Sequence, residues 1–201
     1  MTDTDLCAAS AAAYVTTTPG RRITWRDMSA LLTEDADGFV LAVEGTNPAN
    51  IENDLRDADT TPVDDPDLGP MPAGAAAAAA GFFAMLPGII VDAPWRATGH
   101  SLGGQVAAIL AARMRLTGRP PRRLVTFDSP KPGTEKLSGV LSDVPGTAYT
   151  FDASIVNHWP FFFGQQFRAP VVIGDYTPDW LTAHSITRAL AWMRAHEPAT
   201  A

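Results

Sequence analysis

The chain has little cysteine, few aromatic residues and few charges. Its 201 residues include one cysteine, Cys7, so no disulfide can form within the chain. Aromatic residues make up 8% and charged residues 18% of the sequence, whereas hydrophobic residues make up 46%. This balance is typical of one globular domain, residues 1–201, with a packed core, and excludes a disordered chain.

Positive charge is scarcer than negative charge. The chain has 15 lysines and arginines against 22 acidic residues, a net charge of -7. Because nucleic-acid binding depends on cationic side chains, we expect no nucleic-acid partner. The first residues, Met1 to Asp5, are acidic and lack the basic and apolar regions of a secretory signal. We therefore expect a cytoplasmic location.

A long apolar span of the membrane-crossing type is also missing. The longest uncharged stretch runs from Leu68 to Val91, but it consists mostly of alanine, glycine and proline. Its prolines, among them Pro70 and Pro87, would interrupt a spanning helix. The stretch instead predicts a close-packed alanine helix over 75–86, and no stable membrane insertion.

Short apolar runs alternate with helical segments along the chain. The predicted strands cover 38–43, 94–98, 123–127, 147–156 and 171–173, and the predicted helices cover 5–18, 75–86, 105–116 and 182–195. Residues 25–32 are predicted as weakly helical or irregular. Alternating strands and helices predict an α/β fold, with a mostly parallel twisted sheet covered by helices on both faces.

The most informative motif is Gly99-His100-Ser101-Leu102-Gly103-Gly104, which contains the pattern G-x-S-x-G. A predicted strand precedes it and a predicted helix follows it. This context is typical of a nucleophile elbow, a sharp turn that presents a reactive serine. The glycines fit because a Cβ would clash where strand and helix nearly touch.

The motifs together resemble the class 3 lipases, the fungal-lipase-like branch of the α/β-hydrolases, over about residues 39–192. The elbow is the most specific of them. The others are Val43-Glu44-Gly45-Thr46, Ile51-Glu52-Asn53-Asp54-Leu55, Thr126-Phe127-Asp128-Ser129-Pro130-Lys131-Pro132-Gly133 and His184-Ser185-Ile186. The resemblance implies a compact α/β-hydrolase fold.

The resemblance also implies roles for individual residues. Ser101 would be the nucleophile and His184 its general base, while the backbone N–H groups of Thr46 and Leu102 would form the oxyanion hole. A serine hydroxyl attacks effectively only when a neighbouring imidazole accepts its proton. This chemistry requires no cofactor and no metal.

The acid that should orient the histidine departs from the family pattern. Counting back from Pro160, the position that carries the family's aspartate holds Ser154. We favour Asp152, two residues earlier, because alternate residues of a strand point to the same side. Asp128, where the family usually has glycine, is the alternative acid. A third possibility is that no carboxylate contacts the histidine.

Two further histidines lie near the motifs. His100 precedes the elbow serine, so we expect its side chain to point away from the site and to act as a hydrogen-bonded packing residue. His158 follows the acid segment, and we expect a structural role there.

Two segments are expected to border the site. Residues 47–72 hold most of the net negative charge and form either a lid or rim beside Thr46 or a solvated surface loop. A calcium site is a weaker alternative, because the spacing fits no known calcium-binding loop. Aromatic residues between the acid and base segments, which include Trp159, Phe161 and Phe162, form an acyl-binding pocket, an interfacial patch or ordinary core.

These features predict a serine esterase that acts through an acyl-enzyme on small-molecule or lipid esters with short to medium acyl chains. An amphipathic lid helix typical of interfacial lipases is not evident in the sequence, and this favours an esterase. A triglyceride lipase or phospholipase is the enzymatic alternative. An α/β-hydrolase without catalysis, used as a binding module, is the alternative of another class.

Overall fold

A computed structural model describes residues 1–46, 59–88, 90, 93–151, 154, 156, 164–174 and 179–197. Seven strands form the main sheet in the order β1-β2-β3-β6-β7-β8-β9. They are β1 (Arg21–Trp25), β2 (Met28–Asp35), β3 (Gly38–Val43), β6 (Trp95–His100), β7 (Arg123–Phe127), β8 (Gly146–Phe151) and β9 (Val171–Ile173). A separate antiparallel pair consists of β4 (Pro62–Asp65) and β5 (Gly69–Pro72).

Strand direction divides the main sheet into two parts. The first three strands pair antiparallel, and every pair from β3 through β6, β7 and β8 to β9 is parallel. Parallel neighbours bring their carboxyl ends to one edge of the sheet, which is where α/β folds place ligand sites. The mostly parallel sheet predicted from the sequence is therefore confirmed.

Helices cover both faces of the sheet. They are α1 (Asp3–Ala13), α2 (Ala73–Met85), α3 (Leu102–Leu116), the short α4 (Glu135–Val140), α5 (Trp180–Ala183) and α6 (Ile186–His196). Helices α1 and α6 pack against each other in one apolar cluster with Val40 and Val125. Helices α2 and α3 pack in the other with Leu41 and Leu124. Consecutive strand residues thus enter opposite clusters, as the two-residue period of a strand requires.

The predicted alanine helix is present as α2. Its alanines Ala75, Ala78 and Ala79 are buried, and the helix contacts α3. Small side chains allow the two helices to approach closely, so this apolar stretch is core rather than a membrane segment. None of the helices in the described part of the chain has both the length and the apolar character needed to cross a membrane.

The expectation for residues 25–32 was wrong. Strands β1 and β2 form a hairpin around Arg26 and Asp27, with Arg26 at a φ of 52°. Ala30, Leu31 and Leu32 are all buried because helices cover both faces of β2. That double burial removes the alternation of polar and apolar residues that would have indicated a strand. The hairpin of β4 and β5 was also missed, because it lies in an acidic, proline-rich stretch.

Candidate active site

Ser101 lies in the turn that joins β6 to α3. Its backbone has a φ of 57° and a ψ of -136°, a conformation that non-glycine residues rarely adopt. The Ser101 N–H donates to the carbonyl of Phe127, 3.0 Å away, and this bond ties the turn to the end of β7. Ser101 is fully buried. The strand–turn–helix context predicted from the motif is present.

The elbow glycines are required by close backbone contacts. A Cβ at Gly99 would lie 2.5 Å from the backbone of Gly103. A Cβ at Gly103 would lie 2.2 Å from the carbonyl oxygen of Val43. Strand β6, helix α3 and the end of β3 therefore meet at distances that no side chain would permit.

Asp128 lies at the end of β7, the neighbour of β6. Its φ is 46°, in the left-handed region that favours glycine and that aspartate tolerates better than most residues. Its buried carboxylate accepts hydrogen bonds from Thr150 Oγ1 at 3.1 Å, the Phe151 N–H at 3.5 Å and the Ser154 hydroxyl. Burial alone would raise the pKa of Asp128, but its hydrogen bonds and the charge of His184 lower the pKa overall.

His184 follows the short helix α5 and precedes α6. Its Nδ1 lies 2.5 Å from Asp128 Oδ2, an ion-pair geometry in which a protonated Nδ1 donates to the carboxylate. This contact fixes the ring so that Nε2 is the nitrogen left for chemistry. Both His184 Nε2 and Ser101 Oγ are buried without a hydrogen-bond partner among the described residues.

The favoured acid, Asp152, requires a correction. Asp152 itself lies outside the described residues, but the histidine nitrogen that we expected it to contact is bound by Asp128, the alternative. Ser154, at the family's acid position, instead donates its hydroxyl to Asp128. The sequence signal was the aspartate in a motif position where the family has glycine. Asp128 ranked second because the family's spacing places the acid after the next strand.

The two residues expected to supply oxyanion-hole donors, Thr46 and Leu102, lie in backbone segments next to Ser101. A Cβ at Gly45 would be 3.1 Å from Ser101 Cβ, so the residues after β3 lie directly beside the serine. Thr46 follows at once and is half-buried. Leu102 is the first residue of α3, so its N–H is one of the helix-start donors without an intrahelical acceptor. A helix N-terminus also favours a developing negative charge.

His100 makes two hydrogen bonds beside the candidate active site. Its Nε2 lies 2.8 Å from the carbonyl oxygen of His184, and its Nδ1 lies 2.9 Å from Tyr14 Oη. The Tyr14 hydroxyl in turn accepts the Gly45 N–H at 3.1 Å. His100 is hydrogen-bonded as expected, but it contacts the backbone of the candidate base. Tyr14, at the end of α1, was not identified from the sequence, because only the tertiary fold brings it here.

The remaining predicted residues can be placed only in part. Trp159, Phe161, Phe162 and His158 lie outside the described residues. Of the acidic segment, 59–72 is described, and Asp65 there pairs with Arg113 of α3 at 3.0 Å. Within the described ranges, no three His, Cys, Asp or Glu side chains are grouped as metal ligands would be.

Solved structures with a similar fold include fungal lipases. A triacylglycerol lipase described as having a serine-protease triad as its catalytic centre superposes with a TM-score of 0.72 at 18% identity, covering 88% of this chain and 81% of its own. The Lip2 lipase of Yarrowia lipolytica gives 0.69 at 17% identity, with 86% and 78% covered. The triacylglycerol lipase of Penicillium expansum gives 0.64 at 17%, with 86% and 79% covered.

The chain therefore has the α/β-hydrolase fold, in the form found in the class 3 lipases. A thioesterase-domain family model also matches residues 50–144, a range that includes Ser101 and Asp128 but neither Thr46 nor His184. No curated protein matches the chain in a sequence search.

Proposed function

We propose that the protein is a serine hydrolase of carboxylic esters, with Ser101 as nucleophile, His184 as general base and Asp128 as the acid that orients the base. The lipase fold and the thioesterase-domain match support an ester hydrolase. The observation that carries the proposal is the pair of buried, unpartnered atoms, Ser101 Oγ and His184 Nε2. Leaving a buried polar atom without a partner costs about 1–3 kcal/mol, so each such atom requires an explanation, and a catalytic role supplies one for these two.

The proposed reaction begins when Ser101 Oγ attacks the carbonyl carbon of the ester and its proton passes to His184 Nε2. The N–H groups of Thr46 and Leu102 stabilise the oxyanion of the tetrahedral intermediate. Collapse expels the alcohol, which takes the proton from His184, and leaves an acyl group on Ser101. Water then attacks the acyl-enzyme with His184 as its base, the acyl group leaves as the carboxylic acid, and the proton returns from His184 to Ser101 Oγ.

Asp128 assists both steps without exchanging a proton. Its carboxylate holds the Nδ1 proton of His184 and stabilises the imidazolium that forms when Nε2 takes up the serine proton. Because its other contacts are hydrogen bonds from Thr150, Phe151 and Ser154, it stays in place and charged as that imidazolium forms.

For the substrate we propose esters with short to medium acyl chains rather than emulsified triglycerides. The proposal rests on the sequence, in which no lid-helix pattern typical of interfacial lipases is evident. The acidic segment that follows Thr46 would in addition repel lipid interfaces that carry anionic headgroups. A second candidate is an acyl thioester. The thioesterase-domain match supports this reading, because a thioester passes through the same acyl-enzyme on Ser101.

The test combines covalent labelling with substrate comparison. We expect a fluorophosphonate probe to label the wild-type protein and to leave Ser101→Ala unlabelled, with turnover reduced by about 10⁴–10⁶-fold. Turnover of a short-chain nitrophenyl ester, an acyl-coenzyme A thioester and an emulsified long-chain triglyceride then ranks the substrate classes. A folded protein that neither labels nor hydrolyses any of them would favour a binding module instead.

A further inference from the structure

Helix α1 contributes a hydroxyl group to the surroundings of the candidate active site. Tyr14, the C-terminal cap of α1, reaches the end of β3 and the end of β6 through one oxygen atom. His100 continues this connection to the backbone of His184. We call these two side chains, with the Gly45 N–H and the His184 carbonyl, the Tyr14–His100 relay.

The donors and acceptors of the relay follow from its two ends. The His184 carbonyl can only accept, so His100 Nε2 carries a proton and donates across 2.8 Å. In a neutral ring the other nitrogen must then accept, so the Tyr14 hydroxyl donates to His100 Nδ1 across 2.9 Å. The Tyr14 oxygen accepts the Gly45 N–H with its lone pair. Every polar group of the relay therefore has a partner of the correct kind.

The charge state of His100 is consistent with this arrangement. Burial, reinforced by the neighbouring His184, lowers the pKa of His100 to about 3, so the ring stays neutral at the near-neutral pH at which the proposed esterase would act. Asp128 acts in the opposite direction but does not reverse the shift. Burial likewise raises the pKa of Tyr14, so its hydroxyl keeps its proton. The relay therefore holds geometry rather than moving charge.

Both ends of the relay contact residues of the proposed machinery. At one end, Gly45 precedes Thr46, a proposed oxyanion donor. At the other end, the carbonyl belongs to His184 itself, and the rings of His100 and His184 lie 4.5 Å apart between centroids with a tilt of 34°. A Cβ at Gly45 would lie 2.5 Å from the Tyr14 hydroxyl oxygen, so the relay also requires glycine there.

We infer that Tyr14 and His100 are positioning residues that connect the segment after β3, which contains Gly45 and Thr46, to the general base. Through them the Thr46 N–H and His184 Nε2 keep fixed positions relative to Ser101. The inference rests on the proposed function, since it assigns these residues to the same reaction. Misplacement of a catalytic group by about 1 Å can reduce a rate by about 10²-fold. Neither Tyr14 nor His100 contacts the substrate in this scheme.

The test begins with Tyr14→Phe and a matched control. Tyr149→Phe also removes one tyrosine hydroxyl, but that hydroxyl is not part of the relay. It donates to the carboxylate of Asp3 across 2.8 Å. We expect Tyr14→Phe to lower kcat about 10- to 100-fold with KM changed less than about threefold, and Tyr149→Phe to leave both near wild type. Rates are expressed per site labelled by fluorophosphonate, so a smaller folded fraction cannot imitate the effect.

Two variants of His100 separate its two bonds. His100→Gln can still donate to the His184 carbonyl, whereas His100→Leu cannot, so we expect glutamine to restore part of the kcat that leucine loses. The proton of the His184–Asp128 hydrogen bond gives an independent spectroscopic readout. Its far-downfield NMR resonance should move in Tyr14→Phe and His100→Leu and stay unchanged in Tyr149→Phe.

The outcomes separate the relay from the proposed function. Wild-type activity that Ser101→Ala abolishes, together with an unchanged kcat per labelled site in Tyr14→Phe, would overturn the relay alone. An equal loss in Tyr14→Phe and Tyr149→Phe would also overturn it, because a general loss of stability would then be sufficient. A wild-type protein without labelling or turnover would overturn the proposed function, and the inference with it.

Discussion

Two neighbouring strands, β6 and β7, are each followed by a residue with a positive φ, but the two side chains differ in their hydrogen bonding. Ser101 has a φ of 57° and Asp128 a φ of 46°. The hydroxyl of Ser101 is buried without a partner among the described residues, whereas the carboxylate of Asp128 accepts hydrogen bonds from His184, Thr150 and Ser154. The first turn thus holds the proposed nucleophile without a hydrogen-bond partner, and the second holds the proposed acid with several.

Removing the carboxylate charge of Asp128 is the strongest test of the proposed difference between the two turns. Asp128→Asn keeps the side-chain shape but replaces the carboxylate that binds His184 Nδ1. We expect kcat to fall by about 10²–10⁴-fold, because the wrong histidine tautomer becomes favoured and the imidazolium is no longer stabilised. The measurement is steady-state hydrolysis of a short-chain nitrophenyl ester.

Asp152→Asn is the matched control for that substitution. Asp152 is the acid that we favoured from the sequence, two residues before the family's acid position, and its loss should change kcat less than about threefold. A large loss in Asp152→Asn with little loss in Asp128→Asn would return the assignment to Asp152, and the second turn would then be structural.

The same pair of turns shows how far the sequence could be interpreted. The elbow was recognisable because its requirements are local: a serine between glycines, with a strand before and a helix after. The hydrogen bond between Asp128 and His184 joins residues 56 positions apart, so spacing within a motif could not indicate it. Only the aspartate at a position where the family has glycine hinted at it, and the observed positive φ explains that family preference.

Much of the order of strands and helices was predictable because it also depends on local sequence patterns. Strands β3, β7 and β9 contain apolar runs, whereas the hairpin of β1 and β2 was missed because both faces of β2 are buried. Tyr14 could not have been found from the sequence. Its helix was expected, but its hydroxyl meets Gly45 and His100 only because α1 packs across the sheet beneath the elbow.

His100, the buried residue directly before Ser101, should make the stability of the protein depend on pH. Burial lowers the pKa of His100 from 6.5 to about 3, so the unfolded chain binds a proton that the folded chain excludes as the pH falls through this range. The stability contribution is complete above pH 6.5 and is lost progressively towards pH 3. Between pH 6.5 and 4.5 we expect the free energy of unfolding to fall by about 2 kcal/mol from this group.

Urea unfolding at pH 6.5 and 4.5 measures that fall, and His100→Gln isolates it, because glutamine does not titrate. The lowered pKa of Asp128 acts in a different window. Its contribution is present above its ordinary value of 3.8 and is lost only below it. The same pH slope in wild type and His100→Gln would mean that His100 is not excluded from protonation by the fold.

The smallest expected effect compares the two turns directly through stability. Glycine adopts a positive φ without strain, so Ser101→Gly relieves the backbone and also removes an unpaired buried hydroxyl. We expect the free energy of unfolding to rise by about 1 kcal/mol while activity is lost. Asp128→Gly relieves similar strain but leaves His184 Nδ1 and Thr150 Oγ1 without their acceptor, so we expect stability to fall by about 2 kcal/mol. Thermal and urea unfolding of both variants against wild type give the two signs. If both variants lost stability, the serine turn would not be stored strain, and the contrast between a reacting turn and a supporting turn would rest on hydrogen bonding alone.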